Sequence, residues 1–177
     1  MSTGEKEVTE MTKAQMTALV IVESCFGGTR ALAEQVAAGL QQEGAAVALE
    51  DSDEAPTSLP PGLQLLVLGA PTHNRGLSTP ASRQQAVSRG GRAVQRGIRE
   101  WLEAVTLPSG TPVVAFDTIS GRSWFAGSAA QRVAKALSRK GAGPAAATRS
   151  FLVSPQGPAS GQAQEARAWG RQLATGT

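Results

Sequence analysis

The sequence predicts an α/β fold in which a parallel sheet of five strands carries helices on both faces. Three observations predict it. Five short runs rich in Val, Leu, Ile and Ala, at 18–22, 45–49, 63–70, 112–116 and 148–153, have the length of strands rather than helices. Between them, apolar residues recur at the three- and four-residue spacing of a helix with one buried face. Each strand-to-helix junction holds Gly, Ser or Thr, and strands alternating with helices in this way place ligands at the carboxyl ends of the strands.

The first run, 18–22, is too short and too β-branched for a helix. After Gly28, Leu32, Val36 and Leu40 recur every fourth residue, with Ala33 and Ala37 beside them, and Gly44 ends that helix. A short second strand, 45–49, leads into an acidic, Pro-rich loop over 50–62. The third strand, 63–70, is apolar on both faces, as a strand covered from both sides must be, and stops at Pro71. Thr79 caps a short helix whose first residue is Pro80 and which ends before Gly90. A further helix spans 94–105, with Ile98, Trp101, Leu102 and Val105 on one face. The fourth strand, 112–116, opens into a loop beginning at Asp117. Ser128 and Gln131 form a capping box for a helix to about residue 139. The fifth strand follows, and a last helix over 161–174 buries Ala166, Trp169 and Leu173.

At 177 residues, 41% of them apolar, the chain suits one domain, expected over 17–177 behind a mobile tail at 1–16. A single Cys excludes an internal disulfide framework. No apolar run reaches the length of a membrane span, and residues 1–13 lack the apolar centre of a signal peptide, so a cytoplasmic protein is expected. Charge is unevenly spread: residues 1–54 hold ten acids and three bases, whereas 55–177 hold four acids and fourteen bases. Arg75, Arg83, Arg89, Arg92, Arg96 and Arg99 form a basic stretch with no acid between residues 55 and 99. Without interleaved aromatics or a nucleic-acid motif, the stretch reads as a solvated face or a rim for an acidic partner, not a specific nucleic-acid site.

The most informative segment is the turn of Ser24, Cys25, Phe26, Gly27, Gly28 and Thr29 between the first strand and its helix. Hydroxyls and unhindered amides at a helix N-terminus suit a phosphate. The turn has no Lys after its second Gly, as a P-loop nucleotidase requires, and lacks the three glycines of a dinucleotide-binding turn. A phosphatase loop pairing Cys25 with an Arg six positions on finds Ala31 there, with Arg30 one place early. Cys25 at a helix N-terminus is in a position where a thiol pKa can fall, yet no general base accompanies it. His73 is the only His and has no second ligand beside it, so no metal site is expected. Asp117 has no paired carboxylate or His, so no catalytic residue is assigned.

Three segments together, 22–33, 69–80 and 116–130, resemble the flavodoxin-like family over essentially the whole chain after residue 16, in particular the flavodoxin-domain proteins of actinobacterial type. The resemblance implies a three-layer sandwich with strand order 2-1-3-4-5 and a non-covalent FMN site. Ser24, Cys25, Phe26, Gly27, Gly28 and Thr29 would hold the 5′-phosphate. Pro71, Thr72, His73, Asn74 and Gly76 would line one side of the ring, and Asp117, Thr118, Ile119 and Trp124 the other. It implies electron transfer or low-turnover flavin-dependent reduction, with an electron carrier favoured over a dedicated catalyst. The partner would be a redox protein or an NAD(P)H-dependent reductase, and the chain a monomer or homodimer. Departures are the absence of Tyr, the basic second part, and Phe26 where the family usually has Thr. They leave a second reading, a binding or regulatory module of the same fold that has lost FMN.

Overall fold

The computed structural model describes residues 15–122, 127–142 and 147–176. Most of the expected tail, together with Trp124, lies outside these residues. The elements are β1 (Thr17–Val22), α1 (Gly28–Gln42), β2 (Ala46–Asp51), β3 (Leu65–Pro71), α2 (Pro80–Ser88), α3 (Ile98–Ala104), β4 (Val113–Ile119), α4 (Ala129–Arg139), β5 (Ala147–Ser154), β6 (Gly157–Pro158) and α5 (Gln162–Thr175). The sheet has six strands in the order β2-β1-β3-β4-β5-β6, all parallel except β6. The expected order of the first five holds and the expected count does not. Two residues returning antiparallel on β5, Val153 opposite Pro158 and Ser154 opposite Gly157, are too few to leave a periodic pattern in sequence.

Strand alternation divides the core into two layers. Leu19, Ile21, Leu66, Leu68, Val113 and Ala115 face α3 and α4, where Ile98, Trp101, Leu102, Val133 and Leu137 close the layer. Ala18, Val20, Val22, Val67, Val114 and Phe116 face α1 and α5, packing on Leu32, Val36, Leu40, Ala166 and Trp169. Phe116, Phe151 and Trp169 meet edge to face with centroids 5.8 to 6.2 Å apart. Leu173 is only partly buried.

Two elements differ from expectation for tertiary reasons. The helix expected from residue 94 starts at Ile98, because Asp53 Oδ1 accepts the N–H groups of Gln95 (2.8 Å) and Arg96 (2.7 Å) and holds that backbone out of a helix. Val94 instead packs with Cys25 and Ala86. The fourth strand runs on through Asp117, Thr118 and Ile119, which were expected in a loop. The Thr118 hydroxyl and Asp117 Oδ2 are tolerated there because loop and helix partners hydrogen-bond them. Thr79 caps α2 as expected, in a capping box completed by Ser82. Ser128 caps α4 by accepting the Gln131 N–H, whereas the Gln131 side chain turns away to Thr148.

Candidate functional site

Because β1, β3 and β4 are adjacent and parallel, their carboxyl ends bring three segments to one edge of the sheet. Chain order reverses there: β1 leads to β2 on one side while β3 leads to β4 on the other, which is where open α/β sheets form a ligand crevice. The segments are the turn 24–29, the loop 71–79, and the end of β4.

Gly27 caps α1 with φ 91°, a left-handed conformation that costs Gly little and L side chains more. Its N–H donates to Ser24 Oγ (3.1 Å), which curls the turn back on itself. The N–H groups of Cys25, Phe26, Gly28 and Thr29 have no acceptor among the described residues, and a Cβ placed on Gly27 would meet open space. The turn therefore presents bare donors at the positive end of a helix dipole. The Thr29 hydroxyl is turned inward and shares a hydrogen bond with the Thr118 hydroxyl (2.8 Å), tying α1 to β4. Thr29 contributes its amide to the turn, not its side chain.

The loop after β3 closes as a two-residue hairpin, in which His73 and Gly76 exchange both backbone hydrogen bonds at 2.9 Å. Asn74 (φ 46°) and Arg75 (φ 68°) at its tip are the two non-glycine residues with positive φ among those described. Strain of this kind collects at functional loops, costing about 1–3 kcal/mol per residue. The Thr72 hydroxyl donates to Asp117 Oδ2 (3.0 Å) and accepts from the Ala129 N–H (3.1 Å). The same Asp117 oxygen accepts from Ser128 Oγ (2.6 Å) and the Ala130 N–H (3.1 Å), so Asp117 anchors the start of α4 to the loop. Its Oδ1 is buried without a partner among the described residues. A Cβ on Gly127 would fall on the backbone of Arg75, so the second loop returns directly against the hairpin. His73 is half-buried, with Nδ1 3.0 Å from Ser82 Oγ, and burial holds its pKa below the usual value.

Beneath the turn lies a polar network that sequence reasoning missed. Glu23 is fully buried, accepting from the Ser78 hydroxyl and from the Ile98 N–H (2.8 Å). Arg83, also buried, donates to Ser78 Oγ (2.8 Å) and pairs with Glu100 (3.1 Å). Turn, loop, α2 and α3 are thereby joined. An acid directly after a buried strand was the only local signal, and its partners lie 55 and 75 positions away.

Cys25 is buried with its thiol pKa raised, first by desolvation and then by Glu23, contrary to what a helix N-terminus alone implies. Arg30 turns outward to Glu34 (3.2 Å) and Asp51 (3.0 Å). Neither feature suits a thiolate phosphatase. Nor is the arginine stretch a continuous free rim. Arg83 is internal, Arg96 donates to the carbonyls of Ser52 and Asp53, and Arg99 to those of Ser78 and Leu77. Arg92 lies 3.7 Å from Asp51 and 3.6 Å from Asp53. Phe26, at 63% exposure, is the one large apolar side chain exposed among the described residues, and its ring lies over Gly91.

The sequence matches no protein-family model and no curated protein. Solved structures do match. A flavodoxin from the domain Archaea superposes with TM-score 0.62 at 18% identity, covering 91% of this chain and 98% of that one. Oxidised Flavodoxin 2 from Bacillus cereus gives 0.66 at 15% identity, covering 91% and 99%. The flavodiiron protein from Giardia intestinalis gives 0.58 at 16% identity, covering 91% of this chain but 36% of its own. At these identities the likeness establishes a flavodoxin-like fold. No helix among the described residues is long and apolar enough to cross a membrane.

Proposed function

We propose that the chain binds FMN non-covalently at the carboxyl edge of the sheet and exchanges electrons with a redox protein or an NAD(P)H-dependent reductase. The observation that carries this reading is the turn 24–29: four free amides, an open Gly27 and a helix N-terminus, joined through Thr29 and Thr118 to the strand that bears the second ring loop. Bound FMN would supply the one- or two-electron chemistry. The residues of the chain bind and orient. The amides of Cys25, Phe26, Gly28 and Thr29 would hold the phosphate dianion, and the hairpin from His73 to Gly76 would flank the ring. Thr72 and Asp117 fix the two ring loops to α4, rather than offering groups to solvent.

Titration of the purified protein with FMN, followed by visible absorption and flavin fluorescence, tests this. The expected result is a saturable perturbation of the flavin bands with quenching. Gly27→Val forces a β-branched residue to φ 91°, a cost of about 1–3 kcal/mol to the turn, and is expected to weaken FMN binding about tenfold or more. A module that has lost FMN predicts unchanged flavin spectra with both proteins.

A further inference from the structure

On the α3/α4 face, away from the phosphate turn, a cleft of about 440 Å³ opens between α3, α4 and the hairpin tip. Its walls carry Arg75, Arg99, Arg132, Arg139 and Lys140 against a single acid, Glu103. Arg132 in the first turn of α4, Ala136, Arg139 in its last turn and the C-cap Lys140 fall at helical spacing along one side of the helix and all line the cleft. Arg99 and Lys140 are fixed in place by backbone carbonyls, Arg99 by Leu77 and Ser78 and Lys140 by Val105 (3.0 Å), which leaves their charge uncompensated. Arg75, Arg132 and Arg139 have no carboxylate partner among the described residues. The remaining lining includes Leu77, Leu102 and Ala136.

Like charges held around one concavity repel one another and raise the local concentration of anions. Arginine forks match phosphate oxygens in pairs, more closely than a point charge does. The apolar residues give a surface for a flat or hydrocarbon part of the same guest, the usual composition of a small-molecule site. We propose that this cleft binds a small organic anion bearing at least two phosphate charges, with the phosphates against Arg75, Arg132 and Arg139 and the organic part against Leu77, Leu102 and Ala136. None of the residues of the proposed FMN phosphate turn lines the cleft, whereas the hairpin from His73 to Gly76, proposed to flank the flavin ring, forms one of its walls.

The test uses the full chain at about 50 mM salt, where screening is moderate, with calorimetric titration of inorganic pyrophosphate and of ADP. Both are expected to bind, ADP at least threefold more tightly because it adds apolar contact. The double variant Arg132→Ala/Arg139→Ala changes two exposed side chains and is expected to weaken both ligands at least tenfold while FMN quenching remains saturable, since the phosphate turn is untouched. Arg171→Ala, on α5 across the sheet, and Gly27→Val are expected to leave both within twofold. Failure of either probe to bind the unaltered protein, ADP binding no tighter than pyrophosphate, or losses that follow Gly27→Val or Arg171→Ala instead of the double variant would each overturn the proposal. Because the two sites share the hairpin, they are told apart by their other halves: saturable FMN quenching that survives the double variant, and pyrophosphate binding that survives Gly27→Val, separate failure of this site from failure of the flavin site.

Discussion

Replacing Arg83 by Met is expected to cost about 3–5 kcal/mol of folding stability, read as a lowered urea midpoint. The side chain is 4% exposed, and its guanidinium stands between Ser78 and Glu100, one hydroxyl away from the fully buried Glu23. Taking the cation away removes the donor to Ser78, whose hydroxyl in turn donates to the buried Glu23, and leaves Glu100 without its ion partner; removing one member of such a pair is far more damaging than never having had it. Met keeps most of the stem packing, so the loss reports charge and hydrogen bonding rather than a cavity. Adding Glu100→Gln to Arg83→Met is expected to restore part of the stability, because neither member of the ion pair then carries a charge; this coupling is the signature of a network. A loss below about 1 kcal/mol for Arg83→Met would show that the network is not what joins the turn to α2 and α3.

Gly170→Ala is expected to destabilise by about 2 kcal/mol despite Ala being the better helix former by about 1 kcal/mol. Helices α1 and α5 approach so closely that a Cβ on Gly170 would fall on the carbonyl oxygen of Val36 and lie 3.1 Å from the Cα of Gly39. On the facing side, a Cβ on Gly39 would fall on the Arg167 carbonyl oxygen and lie 2.9 Å from the Arg171 nitrogen. These obstacles are backbone, so no rotamer change relieves them; the helices must separate, loosening Ala166 and Trp169 from the layer they close. The melting temperature is expected to fall by about 4–8 °C for a domain of this size. An unchanged or raised value would mean that the two helices have slack the structure does not show.

The parts of the fold that were legible in the sequence are those set by local pattern. β1 and β3 declare themselves as apolar runs, α2 by Thr79 and Pro80, and α1 by its four-residue period and the glycines before it. Where local pattern failed, a partner distant in sequence decided the outcome. Asp53, 42 and 43 positions before Gln95 and Arg96, takes their amides and delays α3. Thr29 lets Thr118 stay inside a strand from 89 positions away. The same cause hid the Glu23 and Arg83 network and made a stretch of arginines read as a surface, when Arg83 is internal and Arg96 and Arg99 are tied to backbone carbonyls. For the candidate site, the turn itself was legible because Ser, Gly and Thr after an apolar run mark a strand giving way to a helix. The side-chain roles were less so. Thr72 and Asp117 carry polar groups at the carboxyl edge of the sheet, yet the structure turns both toward α4. The cationic cleft left no linear motif, because the hairpin and α3 contribute one cation each and α4 with its C-cap three, from segments far apart in the chain.

The central claim is that the free amides of the turn grip the phosphate of FMN. Amide nitrogen–proton correlation spectra during an FMN titration test it most directly. The account predicts saturable shifts at Cys25, Phe26, Gly28 and Thr29 together with the hairpin from His73 to Gly76, at one common affinity. Shifts absent from the turn, with only the hairpin and the walls of the α3/α4 cleft affected, would contradict it.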